Sequence, residues 1–395
     1  MSGTTNSGRV PRLRFPEFRE AEGWKQKTLS GIAMVVMGSS PRSEGYNESQ
    51  NGLPLLQGNA DIKNRLSAPR VFTSEITKEC QIGDILMSVR APVGSVAKSV
   101  HHACIGRGIA AIHSRRPNSQ EFLYQWLLSY ESRWVKISQG GTFDAINSDD
   151  LRQVRLTTPS PAEQQNIADC LSSVDELLAA QTRKVDALKA HKKGLMQQLF
   201  PMEGETQPHL RFPEFQNAGE WEESIVGELI VTITPPKKLQ TSDYQPEGEF
   251  PIVDQSQDYI CGWTNDGEAV IDKGLPVIVF GDHTCALKFI DQPFAQGADG
   301  IKILRPKRGI DIRFLFCALE ADPVVQESYK RHFSILREKK LFYPDPKSGE
   351  QHRIASCLSS LDALITLETQ KLEALKTHKK GLMQQLFPSP EEIEA

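Results

Sequence analysis

The undecapeptide "HKKGLMQQLFP" occurs twice in the chain, at 191–201 and at 378–388. It ends a longer repeat, because residues 163–201 align without a gap on 350–388 and most of these positions are identical. A second repeated segment opens each half: "PRLRFPEF" at 11–18, followed by Trp24, and "PHLRFPEF" at 208–215, followed by Trp221. The chain therefore has two tandem halves with similar ends and dissimilar middles. This organisation predicts a shared frame that carries two different specificities.

The repeated segments at the end of each half are predicted to be long helices. Apolar residues follow one another at alternating steps of three and four from Leu171 to Leu199 and from Leu358 to Leu386. Such spacing is typical of a coiled-coil seam, here over about four heptads. A helix of about 36 residues is about 54 Å long.

Two capping patterns and two prolines set the limits of these helices. Ser160 and Glu163 have the spacing of a capping box, and Ser348 with Gln351 offers a similar start. Pro201 and Pro388 follow the predicted ends.

Polar residues in the seam predict how the two helices pair. An antiparallel pair would bring Lys192 level with Glu368, and Lys379 level with Gln181. A parallel pair would place Lys192 beside Lys379, where two positive charges repel each other. We therefore expect an antiparallel coiled coil within one chain.

The outer positions of the undecapeptide allow two interpretations. The helices are a structural spacer, or each outer face binds a copy of the same partner. A spacer alone does not explain why the outer residues are identical, so we favour two equivalent partner-binding faces. The residues predicted to form them are His191, Lys193, Met196, Gln197 and Phe200, and His378, Lys380, Met383, Gln384 and Phe387.

The middle blocks are predicted to be mixed α+β. The runs "IAMVVMG", "DILMSV", "GIAAIH" and "PVIVFG" are typical of strands, and 121–132 and 312–322 are predicted helices. The full prediction is an α+β chain with a pseudo-two-fold internal repeat, in which two globular domains are joined by two long antiparallel helices. Its segments are a first domain at 1–160, a helix at 161–201, a second domain at 202–347, a helix at 348–388 and an acidic tail at 389–395.

The charge is unevenly distributed along the chain. The net charge is −4, yet residues 1–160 carry 20 basic against 14 acidic residues, whereas 202–347 carry 16 against 24. A basic surface for nucleic acid is therefore compatible with the acidic whole. Seven cysteines without a CxxC pair are typical of reduced thiols in a cytoplasm. No apolar run reaches the length needed to cross a bilayer, so we expect no membrane partner.

Polar residues on glycine-flanked loops are the candidate DNA contacts. Arg suits guanine, Gln and Asn suit adenine, and an Asp can accept from the amino group of cytosine. Ordinary surface loops have a similar composition, and this alternative stays open for each loop taken singly. The first-block candidates are Arg42, Gln57, Asn59, Arg90, Arg107 and Phe143, the last as a support of its loop. The second-block candidates are Lys237, Gln255, Asp282, His283, Thr284, Arg331, His332 and Ser334.

The sequence lacks the common catalytic motifs. It contains no GxxxxGK[ST] phosphate loop, no GxSxG elbow and no Cys/His set at metal-ligand spacing. The stretch "TPPK" at 234–237 lacks the residues that flank Pro-Pro in amino-methyltransferases. We expect no catalytic residue and no metal site.

The combination of motifs resembles the DNA-specificity (S) subunit of type I restriction–modification enzymes. The resemblance rests on the paired "RFPEF…W" openings, "GDILMSVRAPVGSV", "VIVFGDHTCALKFID" and the duplicated undecapeptide, and it covers nearly the whole chain. It implies two target-recognition domains that each read half of a bipartite DNA site, with the coiled coil as the ruler between them.

The resemblance also implies the partners. They are double-stranded DNA, two methyltransferase (M) subunits that use S-adenosylmethionine, and restriction (R) motor–nuclease subunits that use ATP and Mg²⁺. This chain would itself hold no cofactor and would act in the cytoplasm of a bacterial or archaeal cell. The alternatives are the specificity subunit of a related phage-defence methylation complex, a stand-alone DNA-binding regulator, and a coiled-coil adaptor that binds proteins.

Overall fold

The computed structural model describes residues 10–138, 145–298, 300–327 and 331–388. The chain divides into two compact units, and both long helices belong partly to each. Unit 1 comprises 1–181 and 371–395, and unit 2 comprises 182–370.

The four helices that the sequence predicts begin and end close to the predicted positions. The two long ones are the repeated segments, and the predicted helices of the middle blocks are α2 and α7. The helices are α1 (Leu29–Ile32), α2 (Gln120–Ser129), α3 (Glu131–Ser138), α4 (Ser148–Gln153), α5 (Pro161–Leu199), α6 (Val226–Leu229), α7 (Ile312–Ala321), α8 (Phe333–Glu338) and α9 (Glu350–Leu386).

The strands include all four of the predicted apolar runs, as β2, β9, β12 and β19. Those of unit 1 are β1 (Lys25–Thr28), β2 (Ala33–Met37), β3 (Tyr46–Asn47), β4 (Leu53–Leu56), β5 (Ile62–Lys63), β6 (Leu66–Ser67), β7 (Val71–Thr73), β8 (Glu79–Cys80), β9 (Ile85–Ser88), β10 (Val96–Lys98), β11 (Ala103–Ile105), β12 (Ile109–Ser114) and β13 (Arg155–Thr158). Those of unit 2 are β14 (Glu222–Ile225), β15 (Ile230–Ile233), β16 (Phe250–Val253), β17 (Gly262–Thr264), β18 (Val270–Ile271), β19 (Val277–Gly281), β20 (Leu287–Ile290), β21 (Phe294–Gln296), β22 (Ile301–Pro306) and β23 (Lys340–Tyr343).

The two units share the order of their central strands although their middle blocks hardly match in sequence, and unit 1 adds β6 and β5 to one sheet and β3 to the other. In unit 1 one sheet has the order β2-β12-β9-β10-β6-β5, and the matching sheet of unit 2 has the order β15-β22-β19-β20. The second sheets are β3-β7-β4-β11-β8 and β17-β16-β21-β18, and a two-stranded ladder completes each unit. The pairs β4·β11 and β16·β21 are parallel, so each brings the carboxyl ends of two strands to one edge.

Each unit has a core built on the same three aromatic side chains. In unit 1, Phe122 lies 6.0 Å from Trp24 and 5.6 Å from Phe387, measured between ring centroids. The repeat-related trio in unit 2 is Trp221, Phe314 and Phe200, with Phe314 at 5.8 Å and 5.5 Å from the other two. Each such pair adds about 0.5–1.5 kcal/mol to the stabilisation from burial alone. The end of α9 and the end of α5 are thus parts of a globular core.

The long helices pair antiparallel within each unit, as predicted. In unit 1 the Lys379 ammonium lies 2.6 Å from the Asp175 carboxylate, and residues 382–387 join a cluster with 167–171. In unit 2 Lys192 lies 2.7 Å from Asp362. Every predicted seam residue from Leu171 to Leu199 and from Leu358 to Leu386 is buried or half-buried.

The predicted partners of the polar seam residues are wrong. Lys192 pairs with Asp362 and Glu320 rather than with Glu368, and Lys379 pairs with Asp175 rather than with Gln181. Glu368 is paired with Lys184 at 3.0 Å. A lysine side chain is long enough to leave the seam and reach a carboxylate beside it. The sequence prediction considered only pairs between seam positions and therefore missed these carboxylates.

The repeated "LRFPEF" segment holds the start of each long helix. Two guanidinium nitrogens of Arg14 donate to the carboxylate of Glu163, each at 2.8 Å, and both side chains are buried. Arg211 binds Glu350 in the same way in unit 2. Ser160 caps α5 by accepting from the Glu163 N–H at 3.3 Å, but the Glu163 side chain serves Arg14, so the reciprocal half of the predicted capping box does not form.

The same segment also binds the end of the other long helix. The Leu13 N–H donates to the Gln385 carbonyl oxygen in unit 1, and the Leu210 N–H donates to that of Gln198 in unit 2, both at 2.9 Å. The repeated segment and the repeated undecapeptide are therefore partners of each other. Within the described residues, no helix combines the length and the apolar content that spanning a bilayer requires.

Candidate nucleic-acid interface

Three loops converge at one edge of the sheets in unit 1. They follow β4 (57–61), connect β9 to β10 (89–95) and connect β11 to β12 (106–108). The Gly106 N–H donates to the Leu56 carbonyl oxygen at 2.8 Å, and the Val89 N–H donates to that of Gly108 at 2.9 Å. A Cβ at Gly108 would collide with the backbone of Gln57, so glycine is required for this close approach. We call these loops the unit-1 loop cluster.

The unit-1 loop cluster brings Arg90 and Arg107 together. Both side chains are exposed and line one open cleft of about 590 Å³, together with Met37, Val89 and Ile146. Within the described part of the chain, neither guanidinium has a hydrogen-bond or ion-pair partner. Two unpaired guanidiniums beside exposed backbone form an arrangement that suits phosphate oxygens or the edge of a guanine.

The remaining first-block candidates lie around the same cluster. Gln57 is exposed, and its N–H donates to the buried Asp61 carboxylate at 2.7 Å, which fixes the start of its loop. Asn59 is half-buried in the same loop. Arg42 is exposed on the neighbouring segment, where Ser40 accepts from the Arg107 N–H at 3.4 Å. Phe143 lies outside the described residues.

The equivalent three loops converge in unit 2. They follow β16 (254–258), connect β19 to β20 (282–286) and connect β21 to β22 (297–300). The Gly297 N–H donates to the Val253 carbonyl oxygen at 2.9 Å, and the Asp282 N–H donates to that of Gly300 at 2.6 Å. These bonds correspond to the two that join the loops of unit 1. We call these loops the unit-2 loop cluster.

The structure brings most of the second-block candidates to the unit-2 loop cluster. Thr284 donates its hydroxyl to the Gln255 carbonyl oxygen, and His283 follows Asp282 in the same turn. Arg331 and Ser334 are exposed on the segment that precedes and begins α8. Lys237 lies on another loop, where its ammonium is 2.5 Å from the Asp266 carboxylate, and this hydrogen bond raises the pKa of Lys237.

Two of these candidates cannot read bases as the sequence predicted. Asp282 is 5 % exposed and His332 is 0 % exposed. The Asp282 carboxylate accepts from the Phe333 N–H at 2.8 Å, and His332 bonds to the backbone on both sides of its ring. The prediction that Asp282 accepts from cytosine is therefore wrong, because its side chain is inside the protein.

Lys288 is a residue of this interface that the sequence analysis missed. It is 4 % exposed, and its ammonium donates to the carbonyl oxygens of Asp254 and Asp258, which fixes the 254–258 loop. Burial, the largest influence, lowers the pKa of Lys288. The signal was present, since the alternation of β20 puts Lys288 on the same face as the buried Ala286 and Ile290.

The predicted partner-binding faces are only partly exposed. Met196, Phe200 and Phe387 are buried in the cores, and Met383 packs against the core of unit 1, so these four cannot form a docking face. The other predicted positions are exposed in both copies: His191, Lys193, Gln197, His378, Lys380 and Gln384. The identity of the buried positions follows from the matching cores into which they fit.

All seven cysteines are free thiols, and burial raises the pKa of Cys317 to about 12 and that of Cys261 to about 11. Among the described residues, no group of three or more His, Cys, Asp or Glu side chains is placed to hold a metal ion.

Comparison with known families gives two matches along the chain. The family model described as "Type I restriction modification DNA specificity domain" matches residues 21–190 and again 218–377. Together these matches cover most of the chain, and each includes one loop cluster.

Curated relatives from Methanocaldococcus jannaschii match in sequence. A putative type I restriction enzyme MjaX specificity subunit is 36% identical over 163 residues, which are 41% of this chain and 38% of that protein. The type I restriction enzyme MjaIX specificity subunit is 24% identical over 264 residues, 63% of this chain and 59% of that protein. The matched regions thus span less than two thirds of either relative.

Two solved structures share the fold. The S subunit of a type I restriction–modification system from M. genitalium has a TM-score of 0.65 at 18% identity, and the alignment covers 96% of this chain and 99% of that one. A chain from a structural study of type I complex assembly has a TM-score of 0.52 at 17% identity, with coverages of 93% and 98%.

Proposed function

The chain belongs to the type I restriction–modification DNA specificity family, and we propose that it reads a bipartite DNA site for a restriction–modification complex. Unit 1 reads one half-site with its loop cluster, and unit 2 reads the other. The catalytic steps belong to partner subunits: methyltransferase subunits that use S-adenosylmethionine, and motor–nuclease subunits that use ATP and Mg²⁺. In this proposal the chain is a non-catalytic reader.

The observation that carries the proposal is the recurrence of the loop cluster. The same three strand connections converge in both units and are joined by matching backbone hydrogen bonds, although the loop sequences differ. A conserved frame with variable loops is what two independent readers require, since phosphate contacts position a protein and base contacts specify the sequence.

The loop clusters supply the side chains for such reading. In unit 1 Arg90 and Arg107 are exposed at one cleft and have no partner among the described residues, and in unit 2 Arg331 is exposed beside the loop cluster. A bidentate contact between an arginine and guanine contributes about 1–3 kcal/mol of discrimination against the wrong base. A few such contacts in each half-site give useful specificity without one large continuous site.

Methylation-site mapping tests the proposal. Cells that carry the complete complex should show methylation at one bipartite motif, and cells without this subunit should lose it. Exchanging residues 24–160 for the corresponding block of another family member should change one half of the motif only. A motif that changes in both halves would contradict the assignment of one reader to each unit.

A related measurement separates the proposal from a stand-alone regulator. The complex should bind its mapped duplex in a salt-dependent manner, because phosphate contacts release counterions. A regulator would bind the same duplex as tightly without methyltransferase subunits, and an adaptor would not bind DNA at all.

The exposed part of the undecapeptide is the proposed docking face for the two methyltransferase subunits. His191, Lys193 and Gln197 are exposed around Gly194, as are their repeat equivalents around Gly381. A Cβ added at Gly194 or Gly381 would meet no described atom within 4 Å. Glycine inside a helix costs about 1 kcal/mol relative to alanine, so its presence here fits the close approach of a partner's backbone.

Alanine at both glycines separates docking from folding. G194A with G381A should raise the free energy of unfolding of the free chain by roughly 1 kcal/mol for each helix, while weakening the complex with methyltransferase subunits. Denaturation of the free chain and titration calorimetry with the partner measure the two effects. The control is K189A, because Lys189 is exposed on the same helix beside an alanine. Unchanged partner affinity in the double glycine variant would refute this docking face.

A further inference from the structure

The turn 282–286 of unit 2 is attached to residues 326–327 and 331–334 through buried side chains. Asp282 and His332 are both buried, and 50 residues separate them in the sequence. The same two segments are also joined by the Gln326 side chain, which donates to the His283 carbonyl oxygen at 2.9 Å. Arg331, which is exposed, directly precedes the buried His332.

Asp282 supplies the cap that α8 lacks in its own sequence. His332 stands at the N-cap position, and its side chain makes no capping hydrogen bond. The Asp282 carboxylate accepts from the Phe333 N–H at 2.8 Å instead. An acceptor is required at this position because the first N–H groups of a helix have no partner within it.

His332 completes the attachment through both ring nitrogens. The backbone N–H of His332 donates to the Asp282 carbonyl oxygen at 2.8 Å, and the ring nitrogen Nδ1 lies 3.1 Å from the same oxygen. Nε2 accepts from the Glu327 N–H at 3.1 Å. A carbonyl only accepts and an amide N–H only donates, so these contacts fit the imidazole with its hydrogen on Nδ1.

Unit 1 makes the equivalent attachment through backbone atoms. The Ile146 N–H donates to the Val89 carbonyl oxygen at 3.0 Å, in the place of the bond from His332 to Asp282. Helix α4 is capped by its own Asn147, whose side chain accepts from Asp149 and Asp150. The use of Asp282 and His332 is therefore specific to unit 2, while the attachment itself is common to both.

We propose that Asp282 and His332 are positioning residues that fix the segment bearing Arg331 against the 282–286 turn and so set base discrimination in the second half-site. This rests on the proposed function, in which the unit-2 loop cluster reads DNA. A recognition group must be held within about 0.5 Å of its productive place by neighbours that are themselves fixed. The residue that follows Arg331 in the sequence, His332, is such a fixed neighbour.

The test uses the complete complex and duplexes that carry the mapped site or a single-base change in one half. D282L keeps the approximate size of the side chain and removes the acceptor. It should lower discrimination in the second half-site by roughly tenfold or more, the lower limit for a lost hydrogen bond to a charged group, and leave the first half-site unchanged. D282N keeps an acceptor oxygen for Phe333 and should stay within about twofold of the wild type.

A double-mutant cycle with R331A distinguishes positioning from stability. If Asp282 acts through Arg331, D282L should have little further effect on discrimination once Arg331 is absent. H332Q provides an independent variant should D282L fail to fold, because its amide oxygen can take the place of Nε2 while the Nδ1 donor is lost; it should also affect only the second half-site.

Three results would overturn the proposal. D282L could weaken both half-sites equally, D282N could change the preferred base, or D282L and R331A could act additively. A wild-type complex that shows no base discrimination in either half would refute the proposed function itself. The two failures are therefore distinguishable.

Discussion

The two loop clusters lie on equivalent strands of the two units and differ in the contacts that hold their loops in place. In unit 1 the loops approach each other through glycine and backbone contacts, the buried Asp61 carboxylate fixes the start of one loop, and Arg90 and Arg107 are exposed without a partner among the described residues. In unit 2 the charged side chains Asp282 and Lys288 are buried and spent on holding the loops. The shared strands therefore determine where the loops converge, and the loop residues determine which side chains the loop cluster presents.

The same difference explains why the acidic composition of the second half does not predict the charge near its loops. Residues 202–347 contain more acidic than basic side chains, but Asp282 faces inward and Asp266 neutralises Lys237. An excess of acidic residues is therefore no guide to the charge that the loops of unit 2 present. What counts is which charges remain exposed and unpaired near the loops.

The largest test of this comparison is the removal of the exposed arginines. R90A with R107A should weaken DNA binding by the complex by roughly 1–3 kcal/mol for each arginine that makes a bidentate contact. R331A removes one such group and should cost less. Affinities for the mapped duplex at fixed salt, together with the salt dependence, measure both effects.

R19A is the matched control for charge, since Arg19 is exposed in unit 1 outside the loop cluster. It should change binding only through the general electrostatic attraction. Equal losses from R19A and from either cluster arginine would show that the cluster is not the reading surface.

The frame beneath the loops was largely predictable, because it depends on local patterns. The 3.5-residue period placed α5 and α9, and apolar runs placed the central strands β9 and β19. The helix pairing was predicted in direction but not in contacts, because the carboxylates of Asp175 and Asp362 lie beside the seam rather than in it.

The sequence predicted which segments carry the candidate DNA contacts, but not which of their residues are buried. Sequence shows that Asp282 and His332 lie on polar segments, yet their burial depends on a contact between segments 50 residues apart. The burial of Phe200 and Phe387 escaped prediction for the same reason, since helical periodicity does not identify what an outer face contacts. Repetition was the missed signal for the ion pairs of Arg14 and Arg211, which recur with their glutamates at equivalent positions.

A smaller difference lies in the frame itself. The Trp24 Nε1–H donates to the Glu163 carboxylate at 3.1 Å, whereas the buried Trp221 Nε1–H has no partner within the described residues. W24F and W221F remove the same volume, but only W24F removes a hydrogen bond to a charged group. W24F should therefore lower the free energy of unfolding by about 1.5–3 kcal/mol more than W221F.

Chemical denaturation of the two variants, with hydrogen exchange to assign the loss to a unit, measures this difference. Equal destabilisation would mean that the indole hydrogen bond contributes nothing and that the two starts of the long helices are energetically equivalent.

The smallest expected effect concerns alkaline pH and the polar support of the unit-2 loop cluster. The Tyr244 hydroxyl accepts from the Ala298 N–H at 2.9 Å and lies 3.4 Å from the Asp254 carboxylate. Burial, the largest influence, raises the pKa of Tyr244 to about 12, against about 10 for an ordinary tyrosine. Between these values the unfolded chain has lost the proton and the folded chain retains it, so the free energy of unfolding falls as pH rises.

Y244F removes this titration and separates it from neighbouring groups. The variant should be less stable than the wild type below pH 10, where the hydroxyl makes its hydrogen bonds, and the gap should narrow as pH rises towards 12. Cys261, with its pKa raised to about 11, acts in the same direction, and Lys288, with its lowered pKa, acts in the opposite one. Both are present in wild type and variant, so the difference between their denaturation curves isolates Tyr244. A gap that stays constant through this range would show that Tyr244 titrates alike in the folded and unfolded chain, and that its hydroxyl supports the loops by hydrogen bonding alone.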